Sequence, residues 1–180
     1  MEHVIMDSEG MRRTFVRLAH EIAERDPAEE IVLVGIKRGG EYVANRMRAF
    51  LAEAAGVDTP CGSVDIGMQR DDLVSAFFLP EYTENRLNFS VAGKTVVLCD
   101  DVLHTGRTVR AAIETVFRLG RPRVIRLLEL IDRGGRELPV RADFVGKIVP
   151  TARDEYVKVY LTERGSAEDK IVVGKEKSND

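Results

Sequence analysis

The sequence predicts an α/β fold in which a mostly parallel, twisted sheet is flanked by helices. Strand patterns alternate with helix patterns along the chain, and the runs Ile31–Ile36 and Thr95–Cys99 are almost wholly apolar, which is typical of strands buried on both faces. Each of these runs leads through a glycine-containing turn into a helix. Because ligands bind beyond the carboxyl ends of the strands in such sheets, these two turns are the candidate sites.

The predicted elements follow one another in a regular order. Apolar residues at helical spacing predict helices over residues 11–25, 40–55 and 107–119, and Gly120 followed by Pro122 marks the end of the last one. Strands are predicted at Ile31–Ile36, Val64–Ile66, Thr95–Cys99, Val124–Ile131, Asp143–Ile148 and Tyr156–Leu161. The pattern weakens over residues 68–92, which predicts a functional loop that closes as a lid. Without repeats or linkers, we expect one domain over residues 1–162 and a polar C-terminal tail over residues 163–180.

The composition argues against some classes of protein. The 180 residues carry a net charge of −3, which argues against a general binder of polyanions, whereas arginine supplies 20 of the 27 cations. Arginine's planar fork suits bidentate phosphate contacts, although a genomic bias in composition explains the excess as well. No apolar run is long enough to cross a bilayer, and the two cysteines form no CxxC pair. We therefore expect a cytoplasmic protein without membrane contacts.

One motif carries most of the chemical information. In VVLCDDVLHTGRT, residues 96–108, a buried strand delivers Asp100 and Asp101 to its end, and a short turn then enters a helix. Gly106 lets the backbone approach an anion closely, and the free N–H groups of the first helical turn face that anion. This turn is a cradle for a terminal phosphate, formed by Thr105, Gly106, Arg107 and Thr108. The two carboxylates would then accept hydrogen bonds from vicinal hydroxyls of the sugar that carries the phosphate.

An ordinary strand–turn–helix with an acidic surface pair is the plain alternative, but a paired Asp followed by TGRT is far more specific than a lone glycine-rich turn. These residues resemble the signature for phosphoribosyl pyrophosphate (PRPP) of the type I phosphoribosyltransferases. The resemblance implies that fold, with its small hood. It also implies that Asp100 and Asp101 hold the ribose hydroxyls and that the turn holds the 5′-phosphate.

The turn after the first buried strand, LVGIKRGG over residues 33–40, is a second cradle. It places Lys37 and Arg38 beside Gly39, a combination that suits a pyrophosphate but is a weak signal alone. Its position one βα unit before the main motif is similar to that of the family's pyrophosphate loop. That loop usually reads Lys/His-Thr-Arg-Gly, so here the Arg is shifted by one position and the Thr is absent.

The rest of the chain resembles the bifunctional pyrimidine operon attenuation regulator / uracil phosphoribosyltransferase family. The similarity rests on DIGMQRDDL, residues 65–73, and DRGGRELPVRADFVGKIVP, residues 132–150, and it covers nearly the whole chain except the tail. In related enzymes the Asp-Phe-Val-Gly stretch lies over the base. The resemblance therefore implies that Phe144 covers the ring and that the Val145 backbone reads its edge, although simple core packing explains both residues as well.

The resemblance implies the reaction of uracil with PRPP to give UMP and pyrophosphate, with Mg²⁺ held through PRPP. The C1–pyrophosphate bond breaks to leave an oxocarbenium-like ribose, so cations around the leaving group lower the barrier. The candidates for those cations are Lys37, Arg38, Arg70 and Arg133. The predicted catalytic residues are Asp100, Asp101, His104 and Arg70.

His104 stands where the family usually has Tyr and where purine-specific relatives have Asp, so it argues against a purine enzyme. Its side chain titrates near neutrality and is able to shuttle a proton. A hydrogen-bonded structural histidine accounts for the residue equally well.

Family members also bind the leader of the pyrimidine mRNA, with UMP favouring binding, and assemble as dimers or larger oligomers. The resemblance implies an RNA surface of six cations, namely Arg17, His20, Arg25, Arg136, Arg141 and Lys147. Val16 and Gly135 depart from the Thr and His that are frequent on this surface, which removes two donors. A solvated helix face explains Arg17 and Arg25 nearly as well.

Two other functions stay open at this point. One is a phosphoribosyltransferase for purines or another base without a role in RNA binding, which a base-specificity assay would separate. The other is a catalytically weak protein whose site senses nucleotide and whose output is RNA contact. The shifted Arg38 favours it, and a turnover assay would separate it.

Overall fold

A five-stranded sheet, parallel throughout, forms the centre of the fold. The computed structural model describes residues 2–67 and 87–175. From one edge of the sheet to the other, the strands are β3 (Cys61–Val64), β2 (Ile31–Ile36), β4 (Thr95–Leu103), β5 (Val124–Asp132) and β6 (Phe144–Ile148). All six residues of β2 are buried, as expected for a strand with a helical layer on each face. The α/β fold with a mostly parallel sheet is therefore confirmed.

Three helices cover the two faces of this sheet: α1 (Ser8–Arg25), α2 (Gly40–Ala55) and α3 (Arg107–Leu119). Side chains of α1 and α2 pack into one core cluster, and side chains of α3 pack into the cluster on the opposite face. The buried residues of α1 recur every three or four positions, which gives the helix its apolar stripe. They are Met11, Thr14, Phe15, Leu18, Ala19 and Ile22. No helix within the described ranges is long and apolar enough to cross a membrane.

The helix ends explain why α2 and α3 have the bounds that the sequence predicts. α2 ends at Gly56, whose φ of 69° lies in the left-handed region that glycine adopts without strain. α3 begins after Gly106, whose φ of 91° lies in the same region, and it ends before Gly120 and Pro122. α1 begins three residues earlier than the predicted helix, because Asp7 caps it by accepting a hydrogen bond of 2.7 Å from the Gly10 N–H.

A second, antiparallel sheet of three strands forms the hood. Its order is β1 (Glu2–Met6), β8 (Lys170–Lys175) and β7 (Glu155–Tyr160). Of these, only β7 was predicted. Strand β8 falls inside the segment expected to be a polar tail, yet Ile171 and Val172 in it are buried. Three apolar residues and a glycine between two lysines are a weak signal, which the flanking polar residues obscured.

The hood is attached to the main sheet through Arg46 of α2. Its guanidinium binds the Asp169 carboxylate at 2.6 and 2.9 Å, and it also donates to both carboxylate oxygens of Glu163. Asp169 in turn accepts a hydrogen bond of 2.8 Å from the Thr162 N–H. The segment between β7 and β8 is therefore held on the helix that follows the pyrophosphate-type turn.

Candidate active site

Asp100 and Asp101 lie in the last part of β4, where the Asp100 Oδ1 accepts a hydrogen bond of 2.9 Å from the Asp101 N–H. Asp100 is 7% exposed and borders a cavity of about 160 Å³ beside the start of α3, together with Thr105, Gly106 and Thr108. Asp101 instead borders a larger cavity of about 390 Å³ beneath the hood. Strand β4 continues through Leu103, beyond the predicted end at Cys99. The two carboxylates therefore border different cavities at the end of one strand.

Two opposing effects act on the pKa of Asp101. Burial raises the pKa of this carboxyl, and the nearby guanidinium of Arg164 opposes that rise. The Arg164 Nη1 lies 3.7 Å from Asp101 Oδ2, and Arg164 comes from the hood segment. Asp101 is thus the point where β4, the hood and the pyrophosphate-type loop meet.

The turn from β4 into α3 has the form of an anion cradle. Gly106, which has no side chain to cap the helix, precedes α3 in a left-handed conformation. The Thr105 hydroxyl accepts a hydrogen bond of 3.3 Å from the Arg107 N–H, which holds the turn. The Arg107 guanidinium lies at the rim, where its Nε donates to Glu137 at 2.7 Å. N–H groups at a helix start favour a bound phosphate.

The loop after β2 packs tightly on the carboxylate strand. A Cβ at Gly40 would lie 2.0 Å from the Cys99 carbonyl oxygen, and a Cβ at Gly39 would lie 2.2 Å from Asp101 Oδ2. Both positions therefore require glycine. The peptide bond between Lys37 and Arg38 is cis, and both side chains are exposed, with no ion-pair partner among the described residues. Lys37 and Arg38 therefore belong to the loop whose Gly39 packs on Asp101.

His104 follows β4 and lines the same cavity as Asp100 and Gly106, and Arg133 follows β5. A Cβ on Gly135 would lie 2.8 Å from His104 Nε2, so the imidazole packs directly on this glycine. Partial burial and the charge of Arg133 lower the pKa of His104, which keeps the ring neutral near pH 7. The Arg133 guanidinium donates to Thr151 Oγ1 at 2.9 Å and to the Glu155 carbonyl, so it ties the base of the hood to β5.

Comparison with known proteins identifies this arrangement. The profile of the phosphoribosyl transferase domain matches residues 5–159. The Bifunctional protein PyrR of Thermus aquaticus is 50% identical over 160 residues, which are 88% of each chain. The Bifunctional protein PyrR of Pelotomaculum thermopropionicum is 48% identical over 170 residues, which cover 94% of this chain and 93% of that one.

The chain belongs to the PyrR family of phosphoribosyltransferases. Solved structures show the same fold at lower identity. The hypoxanthine phosphoribosyltransferase of Trypanosoma cruzi superposes with a TM-score of 0.71 at 20% identity over 97% of both chains. The enzyme of Leishmania tarentolae in complex with GMP gives a TM-score of 0.72 at 17% identity, again over 97% of both chains. The type I phosphoribosyltransferase fold that the motif implied is therefore confirmed.

The residues that the PyrR resemblance assigned to the base differ in exposure. Phe144 is 2% exposed and packs in the core cluster beneath α1 and α2, with the Arg25 guanidinium 5.6 Å from its ring centroid. A ring so enclosed has no open face for a base, and core packing accounts for it. Val145 is half-buried on the other face, and its carbonyl accepts a hydrogen bond of 3.0 Å from Arg17. Any reading of a base edge at Val145 would therefore use its N–H.

The six cations assigned to RNA do not form one patch in this chain. Arg17 and Lys147 border one groove between α1, β1 and β6, together with Arg13. Their charged groups also make internal contacts, since Arg17 binds the Gly146 carbonyl at 2.6 Å and Lys147 binds the Ile5 carbonyl at 2.9 Å. His20 is exposed on the same helix.

The remaining cations of that set lie elsewhere. Arg25 pairs with Asp143 at 3.1 Å, and Arg141 borders a different groove beside α3. Arg136 is directed inward, where it donates to the His104 carbonyl at 2.8 Å and to the Asp132 carboxylate. Arg136 therefore stabilises the turn that carries His104, because its guanidinium donates hydrogen bonds to groups of the same chain.

Some residues of the site are either outside the described ranges or were not identified by any sequence motif. Arg70 and most of the predicted lid over residues 68–92 lie outside the described residues. Arg164 and Glu129 reach the site only through the fold, and no motif signals either residue. Arg164 comes from the hood, and Glu129 is the neighbour of Asp100 on β5.

The described residues contain no group of three or more potential metal ligands close together. Mg²⁺ usually keeps several waters and is bound through one or two carboxylates and substrate phosphates rather than by a protein cage. A carboxylate pair beside a phosphate cradle suits that mode of binding. The residues therefore fit an ion that arrives with a phosphorylated substrate.

Proposed function

We propose that this chain transfers the phosphoribosyl group of PRPP to uracil, giving UMP and pyrophosphate, and that it binds a pyrimidine-operon leader RNA when UMP is present. The observation that carries the proposal is the meeting of the TGRT cradle, the Asp100–Asp101 pair and the Lys37–Gly40 loop at one sheet edge, in a chain about half identical to PyrR proteins. The cradle suits a phosphate, the carboxylate pair suits ribose hydroxyls, and the loop with its two cations suits a pyrophosphate.

The site would hold PRPP at three points. The first turn of α3 would bind the 5′-phosphate through its N–H groups, since Gly106 supplies no side-chain cap there. Asp100 and Asp101 would accept hydrogen bonds from the ribose hydroxyls. Lys37 and Arg38 would bind the pyrophosphate from the loop that packs on Asp101. Holding the substrate at both ends fixes C1 relative to the incoming base.

In the reaction the C1–oxygen bond to pyrophosphate breaks, and N1 of uracil forms the new bond to C1 while it loses its proton. Charge grows on the leaving pyrophosphate, so Lys37 and Arg38 stabilise the transition state more than the ground state. Mg²⁺ bound to PRPP would add to the neutralisation of that charge. His104 is the candidate acceptor for the N1 proton, because its lowered pKa keeps it neutral near pH 7.

The RNA-binding half of the proposal is supported by the cationic groove of Arg13, Arg17 and Lys147 beside β6. Phosphate contacts from such side chains give affinity, whereas base contacts give specificity. A homodimer would place two of these grooves on one assembly. Arg17 also binds two backbone carbonyls of β6, the strand that carries Val145.

The test of the enzymatic half is a transfer assay with PRPP, Mg²⁺ and either labelled uracil or labelled hypoxanthine. We expect UMP and pyrophosphate to form in equal amounts with uracil and no nucleotide to form with hypoxanthine. Transfer to hypoxanthine in place of uracil would show that the protein is a purine enzyme. Tight UMP binding without any transfer would show that the altered loop at Gly39 leaves a nucleotide sensor.

A further inference from the structure

Glu129 is a buried carboxyl group for which the proposed reaction gives no role. It lies in the middle of β5, is 0% exposed, and neither carboxylate oxygen has a hydrogen-bond partner among the described residues. Leaving a buried polar group without a partner costs about 1–3 kcal/mol. Packing alone does not explain a glutamate at this position, since leucine would fill the same space without a buried polar group.

The position of Glu129 relates it to Asp100. The two residues are partners in the parallel pairing of β4 with β5. Paired residues of adjacent strands lie about 4.8 Å apart and point to the same face. The preceding partners on that face, Leu98 and Leu127, belong to the same core cluster against α3. Glu129 therefore lies beside the carboxylate that borders the phosphate cradle, one strand further from the centre of the sheet.

The charges around Glu129 oppose its ionisation. Burial comes first, followed by the negative charges of Asp100 and Asp101, and together they raise the pKa of Glu129 well above its usual value; Asp132 acts in the same direction and Arg136 opposes. Arg136 gives its guanidinium donors to Asp132 and to backbone carbonyls instead. A neutral carboxylic acid has an O–H that needs an acceptor.

Asp100 is the acceptor that the geometry favours. Asp132 is occupied by Arg136 and by the Gly134 N–H, and Asp100, not Asp101, is the register partner of Glu129 on β4. The Glu129 side chain has to rotate to bring its O–H to the Asp100 carboxylate, because neither of its oxygens has a hydrogen-bond partner among the described residues. Such a charge-assisted hydrogen bond is about twice as strong as a neutral one.

We propose that Glu129 is a positioning residue, which remains a neutral acid and donates its O–H to Asp100, so that Asp100 stays charged and directed toward the ribose hydroxyls of the nucleotide. The inference rests on the proposed binding of ribose at Asp100. It adds a residue of β5, outside both sequence motifs, to the ribose site.

The test compares UMP with its 2′,3′-dideoxy analogue, which lacks the hydroxyls that Asp100 would bind. Calorimetric titration measures both ligands against the wild type, Glu129→Leu, Glu129→Gln and the control Leu130→Met, which faces the opposite core. We expect Glu129→Leu to weaken UMP binding by about tenfold, the worth of one hydrogen bond to a charged group, and to leave the analogue unchanged. Glu129→Gln retains an N–H donor and should bind UMP within about threefold of the wild type.

Thermal unfolding of each variant shows whether the fold is intact, since leucine fills the buried position of Glu129 without adding a new polar group. If that variant does not fold, Glu129→Met serves in its place. The proposal is overturned if the apolar variant binds UMP like the wild type, if it weakens both ligands equally, or if glutamine weakens UMP binding as much as leucine does.

The result also separates this inference from the proposed reaction. A wild-type protein that binds UMP through its hydroxyls but forms no UMP from uracil contradicts the transferase and leaves the role of Glu129 intact. A wild-type protein that binds UMP and the dideoxy analogue equally contradicts the ribose site and this inference with it.

Discussion

Asp100 and Asp101 are adjacent in sequence but have different surroundings. Asp100 is nearly enclosed beside the phosphate cradle, and its Oδ1 accepts a hydrogen bond of 2.9 Å from the Asp101 N–H. Asp101 contacts the hood arginine Arg164 and packs against Gly39. Replacing Asp100 should therefore affect the proposed ribose contacts. Replacing Asp101 should also affect the loop that is proposed to bind pyrophosphate.

Replacing both residues with Asn should reduce PRPP affinity or turnover while the fold remains intact. Two hydrogen bonds to charged acceptors are lost, each worth about 1.5–3 kcal/mol, so the loss should be about 3–6 kcal/mol. Steady-state kinetics with varied PRPP measure it, and circular dichroism checks the fold. Asp58→Asn is the matched control, since Asp58 forms an exposed pair with Arg48 away from the site. Unchanged kinetics in a folded double variant would exclude the assignment.

His104 is tested by the pH dependence of the reaction. Its pKa is lowered by burial and by Arg133, so an acid limb due to this residue should lie below its usual value of about 6.5. If neutral His104 accepts the uracil proton, the rate falls as the pH drops through that limb. His104→Phe should remove the limb and lower kcat by about 100-fold, with less effect on the KM for PRPP. A pH profile that keeps its shape would make His104 a packing residue against Gly135.

At the scale of elements, the hood depends on α2. Arg46 lies mostly buried between Glu163 and Asp169, and its hydrogen bonds lower the pKa of both carboxyl groups. A carboxyl group with a lowered pKa stabilises the folded state at neutral pH, and the contribution is lost as the pH falls through the lowered value. The attachment of the hood should therefore weaken in acid.

Arg46→Ala should lower the free energy of unfolding by about 2 kcal/mol at pH 7, because it leaves the partly buried Asp169 carboxylate and the more exposed Glu163 carboxylate without their partner. The difference from the wild type should shrink below about pH 4, where both carboxyl groups become protonated in the variant and then in the wild type. Urea denaturation at several pH values measures this. Arg48→Ala removes an exposed pair with Asp58 and should cost no more than about 1 kcal/mol. Equal effects of the two substitutions would contradict the role given to Arg46.

The central elements were predictable because their signals are local. The bounds of β2, α2 and α3 agree with the sequence prediction, since an apolar run, a terminal glycine and helical spacing all act within a few residues. Strands β1 and β8 were not predicted, because each is short and partly exposed and gains its partner from the other end of the chain. The two turns of the site were predictable for the same reason as α2, whereas Glu129 and Arg164 required the strand order and the hood.

At the scale of the whole molecule, positive charge is concentrated in places although the chain is acidic. Arg13, Arg17 and Lys147 border one groove, whereas Arg141 borders another beside α3. A local potential decides RNA binding more than the net charge of −3 does. Two copies in a dimer would double the number of such grooves that one RNA can reach.

Arg17→Ala combined with Arg141→Ala should weaken UMP-dependent binding to a pyrimidine-operon leader. It should also reduce the slope of affinity against salt by up to about one phosphate contact per arginine. Filter binding at several salt concentrations measures both effects. Arg12→Ala is the control on the same helix, since Arg12 pairs with Glu9. Arg17→Ala alone should leave uracil transfer intact, and a wild type with no UMP-dependent preference for the leader would exclude the regulatory role.

The pairing of β2 with β4 has a consequence for how the molecule acquires its site. Ile31 pairs with Thr95, and the loop that follows β2 contacts Asp101 only once these distant strands are joined. Parallel pairings between distant residues form late, because the chain between them loses entropy before any contact compensates. A refolding chain should therefore gain helical signal first and ligand affinity last. Nucleotide binding then reports the final step of folding, in which the two halves of the sheet close on each other.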